Sequence, residues 1–103
     1  MKKFLFSLIS LLIVFSLAAQ SGAKVITTLT EKDVIPEGIT VNPATGTIYV
    51  SSIYLKKIIA INNDGSHKDF IKSGQDEFLE GLGMKIDSKK QWLWVVSNAK
   101  QDK

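Results

Sequence analysis

From Glu37 to Ser52 the chain reads EGITVNPATGTIYVSS, and from Leu82 to Ser97 it reads LGMKIDSKKQWLWVVS. The second stretch repeats the first at an offset of 45 residues, in the same order of glycine, short strand, turn and aromatic strand. Matching positions carry the same or similar residues: Gly38 and Gly83, Val41 and Ile86, Asn42 and Asp87, Tyr49 and Trp94, Ser52 and Ser97. A period of this length is typical of one four-stranded blade of a β-propeller.

Short β-branched and aromatic runs separated by turn residues predict strands on both sides of the repeat. The predicted strands are residues 25–29, 39–41, 47–52, 57–62, 68–71, 84–86 and 92–97. The runs at 57–62 and 92–97 are apolar on both faces and therefore need cover on both sides. A blade between two neighbours has that cover. A two-sheet sandwich provides it too, but does not require the repeat.

The predicted fold class is therefore all-β, a β-propeller segment of about one and a half four-stranded blades. We place blade one at about residues 25–72 and the start of blade two at about residues 82–98. Tyr49, Trp92 and Trp94 are expected to pack between blades. The chain is interpreted as the N-terminal part of a larger propeller whose other blades lie outside it.

The N-terminus has the pattern of a secretory signal. Two lysines precede the apolar run Phe4–Leu17, and Ala18 and Ala19 follow it. An uncleaved membrane anchor is the alternative, although the run is short for a span of about 20 residues. We expect a cleaved signal helix over residues 1–19, a mature chain over 20–103 without a stable membrane span, and a secreted or periplasmic protein.

Charge and cysteine content narrow the classes of partner. The chain has 13 basic residues, all lysines, against 10 acidic ones, and two of the lysines lie in the signal segment. The mature chain is thus close to neutral, without the basic patch that nucleic-acid binding requires. The pairs Lys56–Lys57 and Lys89–Lys90 are expected to be solvated loop residues. With no cysteine, stability has to come from packing.

Residues 36–52, followed by KIIAI at 57–61 and the turn Asn63–Gly65, resemble the opening blade of the senescence marker protein/gluconolactonase (regucalcin-like) family. Residues 83–95 are similar to the start of that family's next blade. The resemblance implies a six-bladed propeller with a divalent cation, most often calcium, at one end of its central channel. It also implies hydrolysis of a lactone or related ester.

In this family an acidic residue of the first blade, within a Gly-Glu-Gly-Pro motif, ligates the metal. Glu37 matches that acid, although its neighbours Pro36, Gly38 and Ile39 match the motif only in part. Gly81–Gly83 stands where the classical lactonases carry an Asn-Asp-Gly segment of the substrate site. The remaining metal ligands come from later blades, so tight calcium binding by this chain alone is not expected.

The residues themselves place Glu37 just before the first strand of its blade. Because neighbouring strands are antiparallel, Tyr54 and Asn98 are expected at the same end and could border one channel mouth with it. The alternative is an exposed loop carboxylate. Asp76, Glu77 and Glu80 are interpreted as a solvated crossing loop. His67 follows a turn and is expected to be exposed.

Two functions stay open from the sequence. The first is a secreted, divalent-cation-dependent lactone hydrolase when complete, with a small lactone or sugar-derived substrate, the chain alone being inactive. The alternative is a non-catalytic secreted β-propeller that binds a protein, a glycan or a small ligand. An Asn and an Asp converging with Glu37 from later blades would favour the enzyme.

Overall fold

The computed structural model describes residues 22–99. The predicted signal segment, residues 1–19, lies outside this range. Within residues 22–99, no helix has the length and apolar content needed to cross a membrane.

The described chain is mostly β, with 46% of its residues in strands and no α-helix. The strands are β1 (Pro36–Val41), β2 (Ile48–Ser52), β3 (Lys57–Ile61), β4 (His67–Ile71), β5 (Glu80–Asp87) and β6 (Trp92–Asn98). A single 3-10 turn, Gln75–Glu77, precedes β5. The first sheet contains β1 to β4 in sequence order, and the second sheet contains β5 and β6; all neighbouring pairs are antiparallel.

The first strand of each sheet ends in an Asx turn. The Asn42 side-chain carbonyl accepts a hydrogen bond from the Ala44 amide (3.0 Å), and Gly46 completes that turn at φ +73°. Forty-five residues later, the Asp87 carboxylate accepts from the amides of Lys89 and Lys90, each at 3.1 Å. Asx side chains stabilise turns in this way. Asn42 and Asp87 therefore form turns at equivalent positions of the repeat.

The sequence repeat is also a repeat of strand register. In the first sheet, β1 pairs with β2 so that Ile39 lies opposite Val50, Thr40 opposite Tyr49 and Val41 opposite Ile48. In the second sheet, β5 pairs with β6 so that Met84 lies opposite Val95, Lys85 opposite Trp94 and Ile86 opposite Leu93. Each of these three pairs of the first sheet recurs in the second at the 45-residue offset. Side chains at matching positions therefore lie on matching faces of the two sheets.

The core lies in the middle of the first sheet. All five residues of β3 are buried, as the predicted cover on both faces requires. One face is covered by residues 22–35, here called the strap. Its side chains Leu29 and Val34 pack against the buried cluster Val50, Ile59 and Ile61.

The second sheet covers the opposite face of the first. Ser51 Oγ donates a hydrogen bond to the Leu82 carbonyl oxygen at 2.8 Å. A Cβ at Gly38 would overlap that same oxygen and lie 2.9 Å from Ser51 Oγ. A Cβ at Gly81 would lie 2.9 Å from the Phe78 ring. Gly38 and Gly81 thus allow the two backbones to approach closely.

The predicted strand at residues 25–29 is wrong, because the strap forms no β-ladder in the described chain. It crosses the face of the first sheet instead of lying beside an edge strand. Thr27 Oγ1 donates to the Gly65 carbonyl oxygen at 2.8 Å, and the Ile53 amide donates to the Ile35 carbonyl oxygen at 3.1 Å. The other six predicted strands are present, with ends that differ by up to four residues.

Candidate functional site

Glu37 lies in a β-bulge at the start of β1. Pro36 pairs with Ser52 and Gly38 with Ser51, so Glu37 is the extra residue without a partner in the ladder. A bulge redirects the side chain of the inserted residue. The Glu37 side chain is exposed, and the ion pairs within residues 22–99 involve other carboxylates. The structure thus places this carboxylate at a strand end, exposed to solvent.

The other two predicted site residues lie at matching strand ends. Tyr54 is exposed in the turn that follows β2, next to the start of β1. Asn98 is the last residue of β6 and pairs with Glu80. Glu37, Tyr54 and Asn98 therefore share one end of the stacked sheets. Among the described residues, no hydrogen bond joins the three side chains.

Glu80 is an acidic residue at this end that sequence reasoning assigned to a solvated loop. The structure separates it from Asp76 and Glu77, which are exposed in the 3-10 turn. Glu80 is instead the half-buried first residue of β5, and β5 packs against β1. The sequence feature that could have indicated this position is that Glu80 directly precedes Gly81, where the second repeat begins. Within residues 22–99, no three His, Asp or Glu side chains converge as a metal-binding group.

Lys57 forms a second polar cluster with Glu31 and Asp69. Its ammonium group donates to Glu31 of the strap and to Asp69 of β4, the latter at 2.9 Å. Burial lowers the pKa of Lys57, but the hydrogen bonds to Glu31 and Asp69 outweigh burial and raise it above its ordinary value of 10.5. The expectation that Lys57 is solvated is wrong, because β3 is covered on both faces and these carboxylates compensate its charge. The cluster holds the strap against the first sheet.

The aromatic residues of the two sheets differ in exposure. Tyr49 is half-buried and makes an edge-to-face contact with Phe70, with ring centroids 5.0 Å apart. Trp92 and Trp94 contact each other at 5.9 Å, and the Lys90 ammonium lies 4.7 Å from the Trp92 ring. Both tryptophans are more than half exposed. They lie on the face of the second sheet that points away from the first.

The turn between β3 and β4 is stabilised within itself. The Ser66 hydroxyl and amide both donate to the Asp64 carboxylate, and these hydrogen bonds lower the pKa of Asp64 below its ordinary value. His67 is exposed, as expected. The local hydrogen bonds give this turn a structural role.

Comparison with known proteins gave no matching family model, no significantly similar curated protein and no significantly similar solved structure. The function of this chain is therefore argued from its own geometry.

Proposed function

We propose that the described residues are the opening sheets of an exported β-propeller, with β1 to β4 as one blade and β5 and β6 as the inner half of the next. The observation that carries this proposal is the recurrence of strand register at the 45-residue offset. Face-to-face stacking of the second sheet on the first supports it, since each blade of a propeller covers one face of its neighbour. A simple sandwich has no reason to repeat the register.

Within such a ring we propose that Glu37 is one ligand of a divalent cation, with calcium the first candidate. The exposed carboxylate, its place in a bulge and its position at the same end of the sheets as Tyr54 support this role. Calcium takes about six to eight oxygen ligands, so further blades have to supply most of them. A bound cation polarises a carbonyl and activates water, which is the chemistry that lactone hydrolysis needs. The proposed function of the complete ring is that of a secreted lactone hydrolase.

The experiment compares Glu37→Gln with Glu77→Gln in the complete ring. Glu77 is an exposed acid on the 3-10 turn and serves as a matched control. We expect Glu37→Gln to weaken calcium binding, measured by calorimetry, and to lower lactone hydrolysis together with it. Glu77→Gln should leave both unchanged. Unchanged calcium affinity in the Glu37→Gln protein would remove Glu37 from the site.

The 103-residue chain gives an independent check of the ligand count. It supplies few oxygen ligands at this end, so a calcium titration should show no tight binding and a lactone assay no turnover. Tight, Glu37-dependent binding by this chain alone would contradict the need for further blades.

A further inference from the structure

The turn between β2 and β3 presents an exposed aromatic ring on a backbone that is held in place. Tyr54 is 64% exposed in this turn. The Leu55 amide that follows it donates a hydrogen bond to Ser52 Oγ at 3.2 Å. The Leu55 carbonyl oxygen accepts one at 2.5 Å from Ser73 Oγ, on the segment that crosses from β4 to β5. A ring on a fixed backbone loses little conformational entropy when a ligand packs against it.

A second exposed apolar side chain lies at the same end of the first sheet. Ile35, the last residue of the strap, is 47% exposed, and its carbonyl oxygen accepts a hydrogen bond from the Ile53 amide at 3.1 Å. Glu37 follows Ile35 by two residues, so the proposed metal ligand shares this strand end with Ile35 and Tyr54. Repeats of this kind stack face to face, which leaves the turns at their strand ends exposed in a complete ring.

The serine hydroxyl groups near this end are engaged within the fold. Ser51 and Ser52 are fully buried, and their hydroxyl groups bond to backbone groups of Leu82 and Leu55. Ser97 Oγ accepts a hydrogen bond at 3.2 Å from a backbone amide of the crossing segment. A ligand rich in hydroxyl groups needs a hydrogen-bond partner for each hydroxyl that it buries. These serines already serve the packing of the turns and sheets, so this end favours a ligand with an apolar body.

We propose that Tyr54 and Ile35 contact an alkyl chain of the substrate, so that the complete ring prefers an alkyl-substituted lactone to a polyhydroxylated one. This inference rests on the proposed lactone hydrolysis and names its substrate class. Each methylene group that leaves water for the aromatic and branched side chains stabilises the complex. The lactone carbonyl is then directed toward the cation at Glu37, while the alkyl chain leaves no unpaired polar group against the apolar surface.

The test compares γ-nonalactone with γ-butyrolactone, which has the same reacting ring without the alkyl chain. Hydrolysis of either adds water at the carbonyl, breaks the ring C–O bond and gives the hydroxy acid. In the complete ring, Tyr54→Ala should lower the ratio of kcat/KM for γ-nonalactone over γ-butyrolactone by about tenfold, chiefly through KM. Tyr54→Phe keeps the aromatic ring and should keep the ratio. Glu37→Gln should lower both rates without changing their ratio.

The outcomes separate this inference from the proposed hydrolase activity. An unchanged ratio in Tyr54→Ala, or a wild-type preference for δ-gluconolactone, would overturn the alkyl contact and leave the hydrolase proposal standing. A wild-type ring that hydrolyses no lactone would remove the hydrolase proposal. Calorimetry with the lactam analogue of γ-nonalactone, which resists hydrolysis, then tests the contact by itself. Binding that Tyr54→Ala weakens by about tenfold would support the contact, and equal binding by both proteins, or none, would overturn it.

Discussion

Lys57 is the only charged residue buried within residues 22–99. Its side chain is 5% exposed, whereas those of Glu31 and Asp69 are 51% and 41% exposed. The carboxylates can therefore regain water if the lysine is removed, but the lysine cannot if they are removed. We therefore expect the fold to tolerate the loss of Lys57 better than the loss of both carboxylates.

Lys57→Met should cost about 1 kcal/mol or less, because it removes the buried charge and keeps most of the packing volume. Glu31→Gln combined with Asp69→Asn should cost about 3 kcal/mol, since it leaves a buried ammonium group without a counter-charge. Urea unfolding of the three proteins measures both values. A larger loss for Lys57→Met than for the double variant would contradict this account.

The pH dependence of the stability difference between wild type and Lys57→Met is a second test of this cluster. Because the pKa of Lys57 is raised by folding, the folded chain holds this proton more tightly than the unfolded chain does. Its contribution to stability is complete below pH 10.5 and is lost as the pH rises through the folded pKa. The difference in stability between wild type and Lys57→Met should therefore decrease as the pH rises through the folded pKa of Lys57.

The Asx turns at Asn42 and Asp87 could be predicted from sequence because both depend on residues two or three positions away. The Lys57 cluster could not, since Glu31 is 26 residues distant. The predicted strand 57–62 begins at Lys57, but its pattern gave no sign of the two carboxylates that compensate the charge of the buried lysine. For Glu37, sequence placed the residue at a strand end but gave no sign of the bulge that redirects its side chain.

At the level of elements, Gly38 and Gly83 occupy the same place in the repeat but different surroundings. A Cβ at Gly38 would overlap the Leu82 carbonyl oxygen, because the second sheet stacks there. Around Gly83 no atom lies within 4 Å of such a Cβ. The match between the two repeats within the sequence treats these glycines as equivalent. It could not show that only one of them lies under a neighbouring sheet.

Gly38→Ala should therefore destabilise the chain by about 2–3 kcal/mol, as expected when an added methyl group has to displace packed backbone. Gly83→Ala should change stability by no more than about 0.5 kcal/mol, since it meets open space. Thermal or urea unfolding of the two variants makes the comparison. Equal costs would show that the second sheet does not stack over Gly38.

For the described chain as a whole, the packing is concentrated in the first sheet. The buried apolar residues are Val50, Ile58, Ile59, Ala60 and Ile61, all on β2 and β3. The strap covers one face of these strands and the second sheet covers the other. The second sheet has only one packed face, and its outer face and the edge of β6 are exposed. The positions of six strands and their antiparallel succession could be predicted from local patterns. The strap's path did not, since it depends on contacts between distant residues.

This distribution predicts a graded pattern of backbone hydrogen exchange. Amides of Ile58 to Ile61 should exchange slowest, because both faces of β3 are covered. Amides of Leu93 and Val95 should exchange faster, because β6 pairs only with β5 among the described residues and its other edge is open. Hydrogen exchange followed by mass spectrometry separates the two strands. If β6 is as protected as β3, its edge is covered and the exposed strand described here is wrong.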